Sequence, residues 1–310
     1  MTSALDVIIT DSPALEHARP KLSVLIPFKG DDPTALLVAL DREAANVEII
    51  VLDDGTNDPE LARRVTNTVL AMTTAARFIC LAHNEGRARG RNRLARSGRS
   101  DYLLFLDSDM LPDHPDFLGR WIELIETQQP DVAFGGFTLD QTPLKPEFAL
   151  HRAMALKTDC QGVEVRQVQP EKHVFTSNLL VKTSLFQQVQ FDEGFSGWGW
   201  EDVEWGMRVS NLASILHVDN TATHLGLDCA ETLTRKYQQS AANFGIIAER
   251  HPGLVSNYPS FKVARVLRVL PYRTVLREMC RKIALNEIIP VPMRDFAMRL
   301  YRSGLYAEVI

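Results

Sequence analysis

The chain is poor in several things, and each shortage removes a class of protein. It holds four cysteines, Cys80, Cys160, Cys229 and Cys280, and no two form a C-x-x-C pair. That spacing offers neither a zinc site nor a disulfide framework, so the expectation is free thiols in a reducing compartment. No run of about 18 apolar residues exists to form a membrane-spanning helix. The first 30 residues lack a basic start followed by an apolar stretch, so no secretory signal is expected. No G-x-G-x-x-G follows a candidate strand, which speaks against a dinucleotide-binding dehydrogenase. There is no internal repeat and no low-complexity tract. An excess of positive charge is also missing: the net charge is -5, which makes nucleic acid an unexpected partner.

What remains is ordinary in bulk. The 310 residues are 45% hydrophobic and 24% charged, enough for a core of normal size in one large domain or two small ones. The charge is unevenly spread. Residues 261–310 carry ten Lys or Arg against four Asp or Glu, a local balance of +6 that suits anionic partners.

Residues 1–20 read as a poorly patterned leader. Strands and helices then alternate. Apolar runs at Leu22–Phe28, Val47–Leu52, Arg77–Leu81 and Tyr102–Leu106 have the length of buried strands. Helices are expected over Pro33–Ala44, over Pro59–Met72 with Asp58 as its cap, over Gly86–Arg96, and over a stripe from Phe117 to Ile125. Such alternation predicts an α/β fold with a mostly parallel sheet between helices. Ligands then bind beyond the carboxyl ends of the strands. Those ends carry Pro27-Phe28-Lys29, Asp53-Asp54 and Asp107-Ser108-Asp109. Later strands are expected at Val174–Val181 and Ser214–Val218, with helices from Glu231 to about Arg250 and over Tyr272–Leu285. The last of these gathers Tyr272, Val275, Leu276, Met279 and Ile283 on one face and Arg273, Arg277 and Arg281 on the other. Its apolar face either packs on the main domain or lies on an anionic membrane.

Four segments could carry chemistry, and each has a plain structural reading beside it. Asp107-Ser108-Asp109 can be a polar turn at a strand end. Two carboxylates so placed can also meet a ribose and a hard divalent cation. Asp53-Asp54-Gly55 can be an Asp-Gly turn, or can present a carboxylate to a nucleobase. The arginines at 87, 89, 91 and 93 can form a solvated basic face, or bring guanidinium forks to phosphates at a helix start. Gly197-Trp198-Gly199-Trp200-Glu201-Asp202 can be a tight turn capping a helix. It can instead present indole faces to a sugar, with adjacent carboxylates to fix a hydroxyl and remove its proton. His224 would suit a metal that already has one aspartate; the remaining histidines invite no such argument.

These segments, in this order, resemble family 2 of the glycosyltransferases, with the GT-A fold. The resemblance spans about Leu22 to Leu225. It rests on Ser23-Val24-Leu25-Ile26-Pro27, Val51-Leu52-Asp53-Asp54-Gly55-Thr56, Asn84-x-Gly86 with Arg91-Asn92, Leu106-Asp107-Ser108-Asp109, and Trp198-Gly199-x-Glu201-Asp202. The last segment also resembles the acceptor-side motif of galactosyl- and N-acetylgalactosaminyltransferases and of chondroitin-type polymerases. The resemblance implies a Rossmann-like GT-A catalytic domain over 21–228, with a nucleotide-binding half at 21–110 and an acceptor half at 111–228, then a helical extension over 229–310. It implies Asp54 as the uracil contact beside the Pro27 and Phe28 backbone, and Arg91 near ribose and diphosphate. Asp107 would bind ribose, Asp109 and His224 a Mn2+ or Mg2+ ion. Asn178 and Trp198 would line the donor sugar, Asp202 would be the general base, and Glu201 would hold the acceptor. The implied reaction is inverting transfer of a hexose or N-acetylhexosamine from a UDP-sugar to a glycan or lipid-linked glycan, in bacterial polysaccharide synthesis. The expected location is cytoplasmic, with peripheral attachment to the inner face of the membrane if the basic helices bind lipid. The rival readings are a catalytically silent nucleotide-sugar-binding scaffold and a sugar nucleotidyltransferase. The latter would need a glycine-rich loop after the first strand, where this chain has the acidic Lys29-Gly30-Asp31-Asp32-Pro33.

Overall fold

The computed structural model describes residues 7–310; residues 1–6 of the expected leader lie outside the described part. The elements run β1 (Val7–Asp11), β2 (Leu22–Phe28), α1 (Thr34–Asp41), β3 (Val47–Asp53), α2 (Pro59–Ala71), β4 (Ala75–Leu81), α3 (Arg87–Ser97) and β5 (Tyr102–Leu106). They continue through β6 (Met110–Pro112), α4 (Phe117–Gln128), β7 (Val132–Phe134), β8 (Phe137–Thr138), α5 (Ala149–Thr158), α6 (Val163–Arg166), β9 (Asn178–Lys182) and α7 (Thr183–Gln188). The chain ends with α8 (Glu201–Val209), β10 (Ile215–His217), β11 (Ala222–His224), α9 (Ala230–Arg250), α10 (Pro252–Val255), α11 (Pro259–Arg268), α12 (Arg273–Leu285) and α13 (Val291–Tyr306).

The described chain divides into two compact units. The first takes the described residues up to Thr142 together with Cys160–Glu193 and Trp205–Gly226. The second takes Pro143–Asp159, Gly194–Glu204 and Leu227–Ile310. Two segments from the middle of the sequence thus join the C-terminal helices, where the sequence suggested a single break near residue 228.

The first unit is an α/β sandwich around a sheet of order β1-β4-β3-β2-β5-β9-β7-β10. β4, β3, β2 and β5 are parallel, as are β7 and β10. β9 runs antiparallel between β5 and β7, and β1 antiparallel at the edge beside β4. Residues 7–11, read as leader, are therefore a sheet edge. β3 is buried along its whole length, as a strand covered on both faces must be. Alternate side chains feed two cores. Val24, Ile26 and Phe28 meet Leu36, Val65 and Trp121 from α1, α2 and α4 on one face. Leu25 and Leu52 meet Leu94, Phe186 and Trp205 from α3, α7 and α8 on the other. Asp58 caps α2 as expected, its Oδ1 accepting from the amides of Glu60 at 2.9 Å and Leu61 at 3.1 Å. Strand order reverses between β2 and β5, so the loops after these strands flank the crevice such sheets offer to ligands.

A small second sheet, β6-β11-β8, sits directly after β5. β11 pairs antiparallel with β6, which sets His224 opposite Met110. This pairing brings a distant histidine to the turn that carries Asp109.

A buried basic cluster braces the ends of β7 and β10 in the first unit. Arg166 donates to the carbonyls of Phe134 (3.1 Å) and Val218 (3.0 Å), and its Nη1 lies 3.2 Å from His217 Nδ1. Burial and the nearby cations push His173 and His217 down to about 4. The unfolded chain would take up these protons near pH 6.5 while the native state refuses them until about pH 4. Stability from this source is complete above pH 6.5 and declines as the pH falls toward 4. Thermal midpoints measured from pH 7.5 to 4.5 should drop less steeply in His217→Gln than in the wild type.

The second unit is helical. α13 packs against α5, α9, α11 and α12. Phe244 of α9 stacks on Tyr306 of α13 with ring centroids 3.9 Å apart. On α12 the structure disfavours the first of the two readings, a packed apolar face. Cys280 and Ala284 are buried. Arg277, half-buried, pairs with Glu308, and its stem lies against Gly304. Tyr272, Val275 and Met279 face outward, 84%, 58% and 56% exposed. The small residues permit close approach to α13, and the long aliphatic stem of Arg277 covers apolar surface while its charge finds a partner.

Candidate active site

In the first unit, the ends of β2, β3 and β5 and the start of α3 form one connected polar system. Asp54 follows β3 and is buried. Its Oδ1 accepts from the Glu85 amide at 2.7 Å and its Oδ2 from the Gly86 amide at 3.0 Å. Its own amide donates to the Phe28 carbonyl at 2.9 Å. Asp54 thus fastens the loop that begins α3 to the ends of β2 and β3. Gly55, at φ 72°, makes this possible, since a Cβ there would lie 2.5 Å from the Asn84 nitrogen. The Phe28 side chain belongs to the core and stacks on Phe78; only its backbone reaches this loop. Pro27 is half-buried one residue earlier.

α3 presents four arginines in different ways. Arg91 is buried, and its Nη2 donates to Asp107 Oδ1 at 2.8 Å. Arg93 is paired with Glu85, and Arg89 with Glu193 at 3.2 Å. Arg87 is exposed, and its charge helps to lower the Asp109 carboxyl. Arg91 orients Asp107, because a guanidinium so buried would be costly without its carboxylate.

Asp109 stands one turn further on. Its Oδ2 lies 3.1 Å from His224 Nε2. Burial acts to raise this carboxyl, and the His224 hydrogen bond and charge, with Arg87, overcome it and hold it below its ordinary value. β11 is anchored on both sides of His224. The Thr142 hydroxyl donates to the His224 carbonyl at 2.7 Å, and the Leu225 amide to the Asp109 carbonyl at 2.8 Å. Asp113 fixes the strand from below, accepting from Thr223 (2.6 Å), Thr138 (2.8 Å) and Gln141 (2.9 Å). Gly226 closes the arrangement: a Cβ there would sit 1.9 Å from Asp109 Oδ2.

Sequence reasoning did not single out Asp113 or Gly226. The only signal for Gly226 was a glycine two residues after His224. Gly226→Ala should displace the Asp109 carboxylate. A misplacement of about 1 Å in a reacting site costs on the order of 10²-fold in rate, so any activity that uses this carboxylate should fall by that order. Gly253→Ala is the control, because a Cβ there meets nothing within 4 Å.

Asn178 was expected to line a sugar pocket. It is completely buried, and its amide donates to the carbonyls of Gly136 at 2.9 Å and Asn220 at 2.7 Å. The structure gives it the task of holding the turns after β7 and β10, because a buried amide must spend its hydrogens on fixed acceptors.

The remaining expected residues belong to the second unit. Gly197 and Gly199 adopt φ of 73° and 88°, and Trp200 itself adopts 79°. Asn243 of α9 clamps the turn, donating to the carbonyls of Ser196 and Gly199, each at 2.9 Å. Trp200 is anchored among Phe244, Tyr258 and Tyr306. That contact offsets the strain of a bulky residue at positive φ, and it explains this tryptophan without a ligand. Trp198 is half-buried against Tyr237, with Lys236 Nζ 5.7 Å from its ring centre. Glu201 is buried and Asp202 half-buried in the first turn of α8, and Asp202 Oδ1 accepts from the Val203 amide at 2.8 Å. A helix start favours both carboxylates.

Comparison with known proteins identifies the family and the fold. The model of glycosyl transferase family 2 matches residues 23–188. An uncharacterized glycosyltransferase of Haemophilus influenzae is 22% identical over 252 residues, covering 73% of this chain and 81% of its own length. A second from the same organism is 27% identical over 93 residues, 29% of this chain and 36% of its own length. An N-acetylglucosaminyltransferase of a Bradyrhizobium species is 30% identical over 101 residues, 31% of this chain and 65% of its own length. Among solved structures, the mannosyltransferase PcManGT from Pyrobaculum calidifontis, in complex with GDP-Man and Mn2+, superposes with a TM-score of 0.57 at 14% identity, over 96% of this chain and 88% of that one. S. aureus TarS 1-349 in complex with UDP-GlcNAc superposes with a TM-score of 0.52 at 16% identity, over 93% and 90%. Both likenesses speak to the GT-A fold.

Proposed function

The chain belongs to family 2 of the glycosyltransferases, and we propose that it moves a hexose or N-acetylhexosamine from a UDP-sugar to a hydroxyl of a glycan or lipid-linked glycan, with inversion, in polysaccharide synthesis. The observation that carries this reading is the Asp109–His224 pair at 3.1 Å, one turn after a β5 end where Arg91 holds Asp107. The UDP-GlcNAc bound to TarS and the name of the Bradyrhizobium relative support the donor class. The GDP-Man bound to PcManGT keeps guanine donors in the test.

The residues fit a divalent cation, Mn2+ or Mg2+. One carboxylate oxygen and one imidazole nitrogen converge, and the missing Cβ of Gly226 gives the Asp109 carboxylate the room to stand there. Among the described residues no group of three or more His, Cys, Asp or Glu is placed to hold a metal. Asp109 and His224 would therefore hold the ion with donor phosphate and water oxygens completing its shell. Bound there, it supplies charge neutralisation for a departing diphosphate. In this reading Asp107, oriented by Arg91, accepts from the ribose hydroxyls. Asp54 sets the base-binding loop through the Phe28 carbonyl and the start of α3, and its carboxylate receives the uracil N–H on a remaining lone pair. Trp198 offers an apolar face to a sugar. Glu201 holds the acceptor and Asp202 takes the proton of the attacking hydroxyl. Nucleotide binding is assigned to residues 21–110.

The test is nucleotide release from UDP-, GDP- and dTDP-sugars with and without Mn2+, in the wild type and in Asp109→Ala. Release from one donor class that needs both the metal and Asp109 is the expected result. Undiminished release from Asp109→Ala would overturn the assignment.

A further inference from the structure

The second unit turns a set of apolar side chains outward where its cations gather. Residues 261–277 hold five Lys or Arg and no Asp or Glu. Within and just beyond this stretch Val266, Val269, Tyr272, Val275 and Met279 are exposed, each by more than half of its surface. Lys262, Arg265, Arg268, Arg273 and Lys282, interleaved with them, are exposed too. Where α11, α12 and α13 meet, Leu267, Leu276, Cys280 and Leu300 line a crevice flanked by Arg273 and Arg277. Tyr272 is held in the left-handed region at φ 56°, with its ring in solvent.

A monomer seldom leaves so many large apolar groups exposed together without a use. Nucleic acid would use the cations and leave valine and methionine unexplained. A second copy docked through the same patch would set five cations against five cations, which repel. An anionic bilayer satisfies both halves: apolar side chains enter the headgroup–acyl boundary and the guanidinium and ammonium groups stay with lipid phosphates.

We propose that the α11–α12 surface docks the protein on an anionic lipid bilayer without crossing it. No helix among the described residues is long and apolar enough to cross a membrane. The inference goes beyond the sugar-transfer reading and does not depend on it, because docking is measured without donor or acceptor.

The full chain should co-sediment with phosphatidylcholine vesicles containing phosphatidylglycerol, bind pure phosphatidylcholine far less, and dissociate as salt rises. Reversing Arg265, Arg268 and Arg273 to Glu should weaken binding on the order of 100-fold, at about fivefold for each cation lost. Val275→Glu with Met279→Glu should abolish it while thermal stability is unchanged, since both side chains are exposed. Met279→Trp should lose fluorescence on brominated-lipid vesicles. Failure of the full chain to bind anionic vesicles, unaltered binding by the Val275/Met279 variant, or an unquenched tryptophan would overturn the proposal. So would a wild type that ignores vesicles but elutes as a dimer which the same variant splits, because the patch would then join two copies.

Discussion

Asp109→Ala is expected to lose metal-dependent nucleotide release by on the order of 10³-fold or more, since a Lewis acid at a leaving group supplies several kcal/mol and each 1.4 kcal/mol is about tenfold. The carboxylate lies 3.1 Å from His224 and is held ionised by it. Its removal leaves one imidazole, too little to hold Mn2+ or Mg2+ against water. The fold should survive, because β11 is tied to this turn through the Asp109 backbone carbonyl and the Leu225 amide, and through Asp113, none of which the substitution touches. An unchanged thermal midpoint with lost release identifies a metal-site defect. His224→Ala should fall in the same direction by less, as a carboxylate is the stronger partner for a hard cation. If the wild type released nucleotide from no donor, a titration of UDP with Mn2+ would separate a donor site waiting for its acceptor from a binding scaffold. Full release by Asp109→Ala would remove the metal from this turn altogether.

Asp107 supports a different expectation from its neighbour two residues away. Its partner Arg91 is buried, so Asp107→Ala removes a carboxylate to which that buried guanidinium donates, as well as the proposed ribose contact. Weakening the compensation of a buried guanidinium destabilises the fold, whereas Asp109→Ala removes no partner of a buried cation. Asp107→Ala and Asp109→Ala should therefore part company in a melting experiment, although both lose activity.

The central strands and their helices were legible because each is specified locally. Leu22–Phe28 and Tyr102–Leu106 are uninterrupted apolar runs closed by polar turns, and both strands occupy those bounds. Asp58-Pro59 marks the start of α2 in the same local way. β1 was not legible, because Ile8 and Ile9 are exposed and the strand exists only as a partner to β4. β6, β8 and β11 have two or three residues each, too few for any period to show. The insertion of β9 between β5 and β7 is a property of strand order, which no local pattern records.

The candidate site divides in the same manner. Asp107-Ser108-Asp109 could be read because the apolar run before it announces a strand end. His224 could be named because a metal on one aspartate wants a second protein ligand, and through family resemblance; its 3.1 Å approach to Asp109 arises from the β6–β11 register. Gly226 and Asp113 act through contacts across that register and left no mark of their own. Asn178 and Trp200 carry groups that could meet a ligand, but the structure occupies them otherwise: Asn178 with two carbonyls, Trp200 with an aromatic cluster. On α12 the helical period was right but could not say which face packs, since helix packing rewards close approach by Cys280 and Ala284 as readily as it rewards large apolar groups.

Asp202→Asn is expected to slow transfer by roughly 10²–10⁴, the usual cost of losing a positioned general base. Asparagine keeps the size of the side chain and can still accept the Val203 amide through its oxygen, so the start of α8 should remain in place. It cannot take a proton from an attacking hydroxyl. Donor binding should persist, because Asp202 is assigned to the attacking hydroxyl and to no contact with the donor. The loss should therefore appear in kcat for transfer, with donor affinity from UDP titration nearly unchanged. Glu201→Gln should show the complementary pattern, a raised KM for acceptor with a smaller fall in kcat, if Glu201 holds the acceptor hydroxyls. The pH profile separates the two carboxylates further: a base must be ionised to act, so the rising limb of kcat/KM at low pH should flatten in Asp202→Asn and survive in Glu201→Gln. Should Asp202→Asn transfer sugar at close to the wild-type rate, the base lies elsewhere; should Glu201→Gln flatten the limb instead, the two roles are exchanged within the same turn of α8.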